Sequence, residues 1–545
     1  MSLAHTAKIM LWIAAIFTAA LRPQLAEAPL RRIEGLARRA ARHRTLTWLS
    51  FGVLVLLIRG ALLPLWPIPR PVIYDEFSYI LQADTFAHGR LTNPTHPLWP
   101  FFESPYVLQH PTYASKYPPA QSLAMAAGQV LFGDPWFGVW LSCGAMAAAL
   151  VWALQAWLPP GWALFGGLLA LPLAIDSYWM NSYWGGAVAA IGGALVLGGY
   201  ARVMRRRQLW YALAIGLGLA LLANTRPYEG LIFSIPVGIA LISRPRRNAI
   251  ALIAAVLLPA LALTGYYNRA VTGNPFQLPF TEYARQYAQI PLFNFQPMQA
   301  ARVDLPPPMV DLHQNWEPGE WRKARSLQLI SIRFDDWKGV AGIILGSWLV
   351  AVLIVLFLPN LWRDRRIRLP LLCVLAAFAG SLIEVRYYMH YAGPATAALL
   401  ILAVQSFRHL RQWKPTGQST GRFLARAIPV LVVGAALATE AREIIRQEPR
   451  ENAQPRNSRR PEAVALLNDF TEKHVIIVRY TGTQSPHEEW VYNGADIDAQ
   501  DVIWAHDLGP VNNARLVEYY KGRKIWLFEP DGKSVIRLDP YGDKP

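Results

Sequence analysis

The chain reads as an α-helical polytopic membrane protein with about eleven transmembrane helices and a small C-terminal α/β domain. Three observations predict this. First, 53% of its 545 residues are hydrophobic and only 16% are charged, against about 25% charged in ordinary soluble domains. Second, long apolar runs recur up to residue 440, separated by short turns rich in arginine. Third, the apolar runs stop beyond residue 461, and short β-branched segments replace them.

Residues 1–45 form a basic juxtamembrane segment. Its apolar stretch Ile9–Ala20 has too thin a basic lead for a cleaved signal, so a short interfacial or anchoring helix is expected. Five Arg-rich turns follow, at Arg31–Arg44, Arg202–Arg207, Arg244–Arg247, Arg363–Arg368 and Arg408–Arg426. The bias of Lys and Arg toward the cytoplasmic side places all five there, so an even number of spans separates any two. Runs Leu46–Leu65, Trp136–Trp157, Trp162–Ile175 and Gly185–Gly199 satisfy that parity if Gln121–Phe132, which is short and follows Pro118-Pro119, lies in the interface. Three hairpins come next: Leu209–Ala223 with Leu231–Ile242, Ala249–Tyr267 with Val340–Leu361, and Leu371–Val385 with Ala392–Phe407. Ala427–Ala438 carries the chain out once more.

The membrane domain therefore spans residues 46–440, with a large outer loop at 66–135. Residues 441–461 are a Pro- and Arg-rich linker, and 462–545 a soluble domain. Within that domain, strands at His474–Arg479, Asp501–Ala505 and Lys524–Phe528 and a helix at Asn512–Tyr520 predict a βαβ unit. No Gly-rich phosphate loop accompanies it, which favours an accessory or docking role. The net charge of +17 comes largely from the inner turns, so nucleic acid is excluded as a partner. Cys143 and Cys373 both lie inside apolar runs and are expected to be packing residues.

The chemistry concentrates at Tyr74-Asp75-Glu76-Phe77-Ser78-Tyr79, just beyond the first span. Adjacent carboxylates beside a membrane are costly to desolvate and are usually kept for function. Either one is suited to orient or deprotonate an acceptor group. The structural alternative is helix capping, with Asp75 as cap and Glu76 favouring the positive helix end. Tyr113-Ala114-Ser115-Lys116-Tyr117-Pro118-Pro119 places one ammonium at the start of an amphipathic helix, where it suits an anionic phosphate or simply snorkels to the interface. Arg226, Arg386 and His390 stand at outer tips, against the usual charge bias. They suit a phosphate leaving group, or pairing with Glu229 and Glu384. Tyr74, Tyr117, Asp176, Tyr178, Asn181 and Trp184 offer hydroxyl, amide and aromatic groups for sugars, or an ordinary aromatic belt. His88, His96, His110 and His390 lack metal-ligand spacing, so no cofactor is required and a divalent metal is a minor alternative.

These motifs resemble the GT-C superfamily of integral-membrane glycosyltransferases, especially the branch holding protein O-mannosyltransferases and the lipid A aminoarabinose transferase. An acidic pair early in the first outer loop and a Lys/His-Pro-Pro motif on a juxtamembrane helix correspond to Asp75-Glu76 and Lys116-Tyr117-Pro118-Pro119. The chain is also similar to a bacterial subgroup sharing the Asp75–Tyr79 stretch and His487–Asn493. The resemblance implies a multi-pass protein of the bacterial inner membrane with its site facing the periplasm or exterior. It implies transfer of a sugar from a polyprenyl-phosphate donor to a glycan, lipid or protein acceptor. Asp75 then becomes the acceptor-orienting carboxylate, Glu76 its partner at the sugar, and Lys116 a phosphate ligand. Relatives carry an Asp in the second outer loop, where this chain offers Asp176 or Asn181. A transporter or lipid flippase, or a scaffold acting through the tail, are the alternative functions.

Overall fold

The structure is a computed structural model, describing residues 18, 21, 22, 24, 27–244, 246–414, 419–446, 459–467, 470–481, 489–530 and 536–542. The Ile9–Ala20 run lies almost wholly outside the described residues, as do most of the linker and His487 and Glu488.

The body is a bundle of apolar helices. Four of the described helices are long and apolar enough to cross a membrane: Arg44–Ala61, Trp136–Trp157, Ala187–Arg205 and Arg247–Thr272. Four more, Pro160–Ile175, Leu209–Ala223, Pro227–Ile242 and Arg368–Ser381, are apolar but no longer than 17 residues. The chain is thus polytopic, with fewer full-length spans among the described residues than the hydropathy count of about eleven. One run departs outright from its expected form. Val340–Leu361 is not a continuous span, because Gln328–Leu345 and Trp348–Leu356 meet at a 105° bend. The break is local chemistry: Gly346 adopts φ 70°, and the Ser347 hydroxyl accepts the Leu349 N–H to start the second helix.

Small residues let the helices approach closely. A Cβ on Gly128 would lie 2.0 Å from the Gly138 nitrogen, so the Ala120–Phe132 helix sits directly on Trp136–Trp157. Its other face exposes Leu123, Val130 and Leu131, as an interfacial helix requires. Gly193 allows the Pro394 carbonyl to within 1.9 Å of where a Cβ would stand. That contact seats the 3-10 turn Met389–Ala395 against Ala187–Arg206.

The two ends of the bundle separate cleanly. Outer loop 66–135, the Asn224–Arg226 tip, the segment from Leu278 to Glu317 and residues 384–391 converge at one end. The Arg-rich turns gather at the other. There the helix Glu27–Ala40 is pinned by Glu34 to Arg411 and Arg426, and by Glu27 to Arg422.

The tail carries a four-stranded sheet: β3 (His474–Val478), β4 (Val502–His506), β5 (Lys524–Phe528) and β6 (Leu538–Pro540), numbered after a small hairpin β1 (Val107–Leu108) and β2 (Ala114–Ser115) in the outer loop. The order is β4-β3-β5-β6. β4 and β5 flank β3 in parallel, joined by the helix Pro510–Tyr519. β6, antiparallel to β5, is an addition that the sequence pattern did not show.

The tail rests on the outer end. Tyr492 stacks on Phe77 at 4.2 Å, and the Ala495 N–H donates to Asp84 at 2.8 Å. Tyr113 donates to the Asn493 carbonyl at 3.0 Å, and His506 bonds the Glu103 carbonyl at 2.7 Å. Sequence alone left the tail's side of the membrane open; these contacts put it on the side of Asp75.

Candidate active site

The helix Tyr74–Ala87 begins with Glu76 folded back on its own N-terminus. Glu76 Oε2 accepts the Val72 and Ile73 N–H groups at 2.7 and 3.2 Å, while Oε1 accepts Tyr183 N–H at 3.1 Å. Glu76 therefore satisfies two backbone N–H groups at the helix start, with no reciprocal bond from the Ile73 side chain, and ties the first outer loop to the second. Of the acidic pair expected at the sugar, Glu76 is taken up at the helix start, where Asp75 was the alternative cap, and Asp75 faces a cavity of about 220 Å³.

The hairpin β1–β2 positions Lys116. Ser78 Oγ bonds both the Tyr106 carbonyl and Ser115 Oγ at 2.7 Å, locking the hairpin onto the Asp75 helix. Tyr106 sits just before β1 at φ 65°, a left-handed conformation that costs a bulky residue energy and is retained where geometry demands it. Its ring centroid lies 2.9 Å from Lys116 Nζ. Phe280, Tyr117 and Tyr283 complete an aromatic cage at 5.0, 5.2 and 5.2 Å. Lys116 is only 4% exposed, yet among the described residues no carboxylate forms an ion pair with it. Burying such a charge is expensive unless something of opposite sign is meant to meet it. Beside it, Tyr117 donates its hydroxyl to Asp75 Oδ1.

Burial pushes the Asp75 carboxyl above the usual carboxylate range, against the pull of Lys116, the Tyr117 hydrogen bond, Arg386 and Arg226. Burial also drives Lys116 well below the usual lysine value, with Arg386 adding to the effect. The two shifts move an acid up and a base down, as burial beside like and unlike charges does at functional sites.

Two arginines line the same cavity. Arg226 lies 3.9 Å from Glu229, with its guanidinium over the Tyr391 ring at 4.2 Å. Arg386 pairs with Glu317 at 2.9 Å and donates to the Tyr106 hydroxyl at 3.1 Å. Glu317 is held in turn by His313 at 2.9 Å, which bonds the Tyr283 hydroxyl at 2.9 Å. Although burial opposes it, the charges of Arg386 and His313 hold the Glu317 carboxyl down at about 2. Lys116, Tyr106, Arg386, Glu317, His313 and Tyr283 thus form one continuous network. Pro118, Pro119, Leu278, Phe280, Ile290 and Leu292 give the same cavity an apolar wall.

Of the residues selected from sequence, Asp75, Lys116, Tyr117, Arg226 and Arg386 meet in this cavity. The others do not line it. His390 bonds Tyr178 at 3.0 Å and packs against Trp184, so these three support the Tyr388–Tyr391 turn from behind. Asn181 accepts the buried Arg59 guanidinium at 3.1 Å and donates to the carbonyls of Ile175, Asp176 and Ser177. It folds the second outer loop, and Asp176 lies in that turn. Tyr74 is buried edge-on against Tyr106 at 4.5 Å. Glu317, His313 and Tyr106 were missed, although His313 and Glu317 stand at helical i,i+4 spacing. Among the described residues no group of three or more His, Cys, Asp or Glu is placed to hold a metal. His88 pairs with Asp84, His96 with Asp498, and His110 stacks edge-on against Trp99.

No family model matches the chain, and no curated protein does. Solved structures do. The crystal structure of ArnT from Cupriavidus metallidurans bound to undecaprenyl phosphate superposes at TM-score 0.51 and 13% identity, over 89% of this chain and 94% of that one. ArnT from the same organism in the apo state matches at TM-score 0.51 and 14% identity, over 90% and 94%. The fold of this chain is that of these ArnT structures.

Proposed function

We propose that the chain transfers a sugar, a hexosyl or pentosyl group, from a polyprenyl-phosphate donor to an acceptor on the outer face of a bacterial inner membrane. The observation that carries this reading is Lys116, a buried ammonium caged by aromatic rings near Asp75 and, among the described residues, in no ion pair with a carboxylate. An anionic phosphate is the complement such a site needs. The apolar wall suits a prenyl chain, and the ligand named for the ArnT structure, undecaprenyl phosphate, agrees with that chemistry.

In this reading an acceptor hydroxyl or amine attacks the anomeric carbon as the C–O bond to the carrier phosphate breaks. Its proton passes to Asp75, and the electron pair leaves on the phosphate oxygen, stabilised by Lys116, Arg226 and Arg386. Glu317 is a positioning residue: through Arg386 it keeps a guanidinium aimed at the leaving group. Glu76 acts on the fold of the helix start and not on the sugar.

The test is sugar release by the purified full chain in lipid, supplied with radiolabelled polyprenyl-phosphate sugars and crude membrane acceptors. Turnover by the wild type, lost in folded Asp75→Asn and Lys116→Ala, supports the assignment. Turnover unchanged in both variants overturns the roles given to these residues, and no turnover with any donor overturns the reaction class.

A further inference from the structure

The opposite end of the bundle holds a second built pocket, of about 520 Å³. Arg205, Arg244, Arg246, Arg365 and Arg366 line it, together with Trp157. They come from three separate turns of the chain, so the concavity is made by tertiary folding and not by one basic stretch. Positive-inside bias accounts for arginines in these turns, but it does not require them to face one another across a cavity. Among the described residues, none of the five forms an ion pair with a carboxylate. The nearest acidic residue in sequence, Asp364, acts on Arg205 only through space, and its carboxylate accepts from the Arg366 backbone N–H at 2.9 Å and from Gln405 at 3.2 Å.

The pocket wall is fixed in advance. Trp157 donates its indole N–H to the Leu197 carbonyl at 3.1 Å and stacks on Tyr200. Arg205 lies over the Trp157 ring at 4.1 Å and donates to the Arg366 carbonyl. Guanidinium groups facing one concavity repel one another, and a bound anion relieves that repulsion. Its surroundings say what kind. Ile239 and Ile242, just before Arg244, are 60% and 73% exposed, and Leu372 and Leu375, beyond the lining residue Leu369, are 37% and 43% exposed. Exposed apolar side chains therefore continue from the basic pocket along the helices toward the bilayer interior. A free anion has no use for that surface, whereas acyl chains hanging from a phosphate headgroup do.

We propose that this pocket binds the headgroup of an anionic phospholipid carrying two phosphates, with its acyl chains along Ile239, Ile242, Leu372 and Leu375. Five guanidiniums exceed what one phosphate needs and match two. The proposal does not depend on the reaction assigned to the outer cavity.

The test uses native mass spectrometry of the purified full chain with cardiolipin, phosphatidylethanolamine or inorganic pyrophosphate added. Wild type is expected to retain cardiolipin over phosphatidylethanolamine, with pyrophosphate failing to displace it. Replacing Arg244, Arg246, Arg365 and Arg366 together by Gln is expected to lower cardiolipin retention roughly tenfold or more. An engineered tail cysteine, labelled from the unchanged side in a background with Cys143 and Cys373 replaced, confirms that the variant keeps its orientation. Equal retention by wild type and a correctly inserted variant overturns the proposal. So does equal retention of phosphatidylethanolamine by the wild type, or displacement by pyrophosphate. The last two need no variant to fold.

Discussion

The two ends of the helix bundle handle positive charge in opposite ways. At the outer end, Arg226 and Arg386 each have a carboxylate, and Lys116 is packed among tyrosines beside Asp75. At the inner end, five arginines share an open pocket, and among the described residues none of them forms an ion pair with a carboxylate. Buried charges must be compensated by residues held in fixed geometry, which is the condition for catalysis; charges near the interface can await a lipid. One sequence feature, excess Arg and Lys in turns, therefore has two physical meanings, and burial separates them.

The largest effect should come from breaking the outer pair. Asp75→Asn is expected to lower sugar release about 10³-fold while the protein elutes and unfolds as wild type, because the general base is lost and the shape is kept. Glu317→Gln comes next. It leaves Arg386 and His313 without their common partner and is expected to lower stability by about 3 kcal/mol, read from thermal or denaturant unfolding. The sign with pH follows from the direction of its shift. The folded carboxyl sits near 2, below the ordinary 4.5, so its contribution is present above 4.5 and is lost as pH falls toward 2.

Glu76→Gln sharpens the comparison within the acidic pair. It weakens three backbone hydrogen bonds, and a stability loss of about 1 kcal/mol is expected with turnover retained in the folded fraction. A loss of turnover as deep as that of Asp75→Asn, without destabilisation, would return Glu76 to the chemistry. At the inner end, Arg365→Gln should change unfolding stability by no more than about 0.5 kcal/mol, since no ion pair is broken.

A pH–rate profile probes the outer pair without mutation. Asp75 must be ionised to take a proton, and its carboxyl is raised, so the acid limb should lie above the ordinary carboxylate range. Lys116 must be charged to hold phosphate, and it is lowered, so the alkaline limb should lie below the ordinary lysine range. Lys116→Arg should move the alkaline limb outward, and an unmoved limb would assign it to another group.

Much of this arrangement was legible in the sequence. Hydropathy gave the polytopic bundle, and parity of the Arg-rich turns sorted the loops that meet in the outer cavity from those at the other end. Arg226 and Arg386 stood out because positive charges at outer tips run against the positive-inside bias, Asp75 as one of two adjacent carboxylates beside a span, and Lys116 through the Lys-Tyr-Pro-Pro stretch that starts an amphipathic helix. What stayed hidden depended on tertiary contact. Nothing local in Asp75-Glu76 says which carboxylate turns back to cap the helix, since the Tyr183 N–H that holds Glu76 lies 107 positions away. Tyr106 needed its backbone conformation, and Glu317 needed Arg386 from a distant loop, before either became a site residue. The bend at Gly346-Ser347 was readable as a Gly-Ser break but was absorbed into an apolar run. His390, Tyr178, Asn181 and Trp184 were selected for residue type, and that type serves equally well to fold a loop.

The central claim is that the caged outer cations, and not the inner arginines, hold the carrier phosphate. Its most direct test is equilibrium binding of radiolabelled undecaprenyl phosphate to the purified chain, comparing Lys116→Ala and Arg386→Ala with the fourfold Gln variant of the inner pocket. The account predicts that the outer substitutions weaken binding at least roughly tenfold more than the inner ones do, as expected for removing a charge-assisted phosphate contact. Equal losses at both ends, or a larger loss at the inner end, would contradict it.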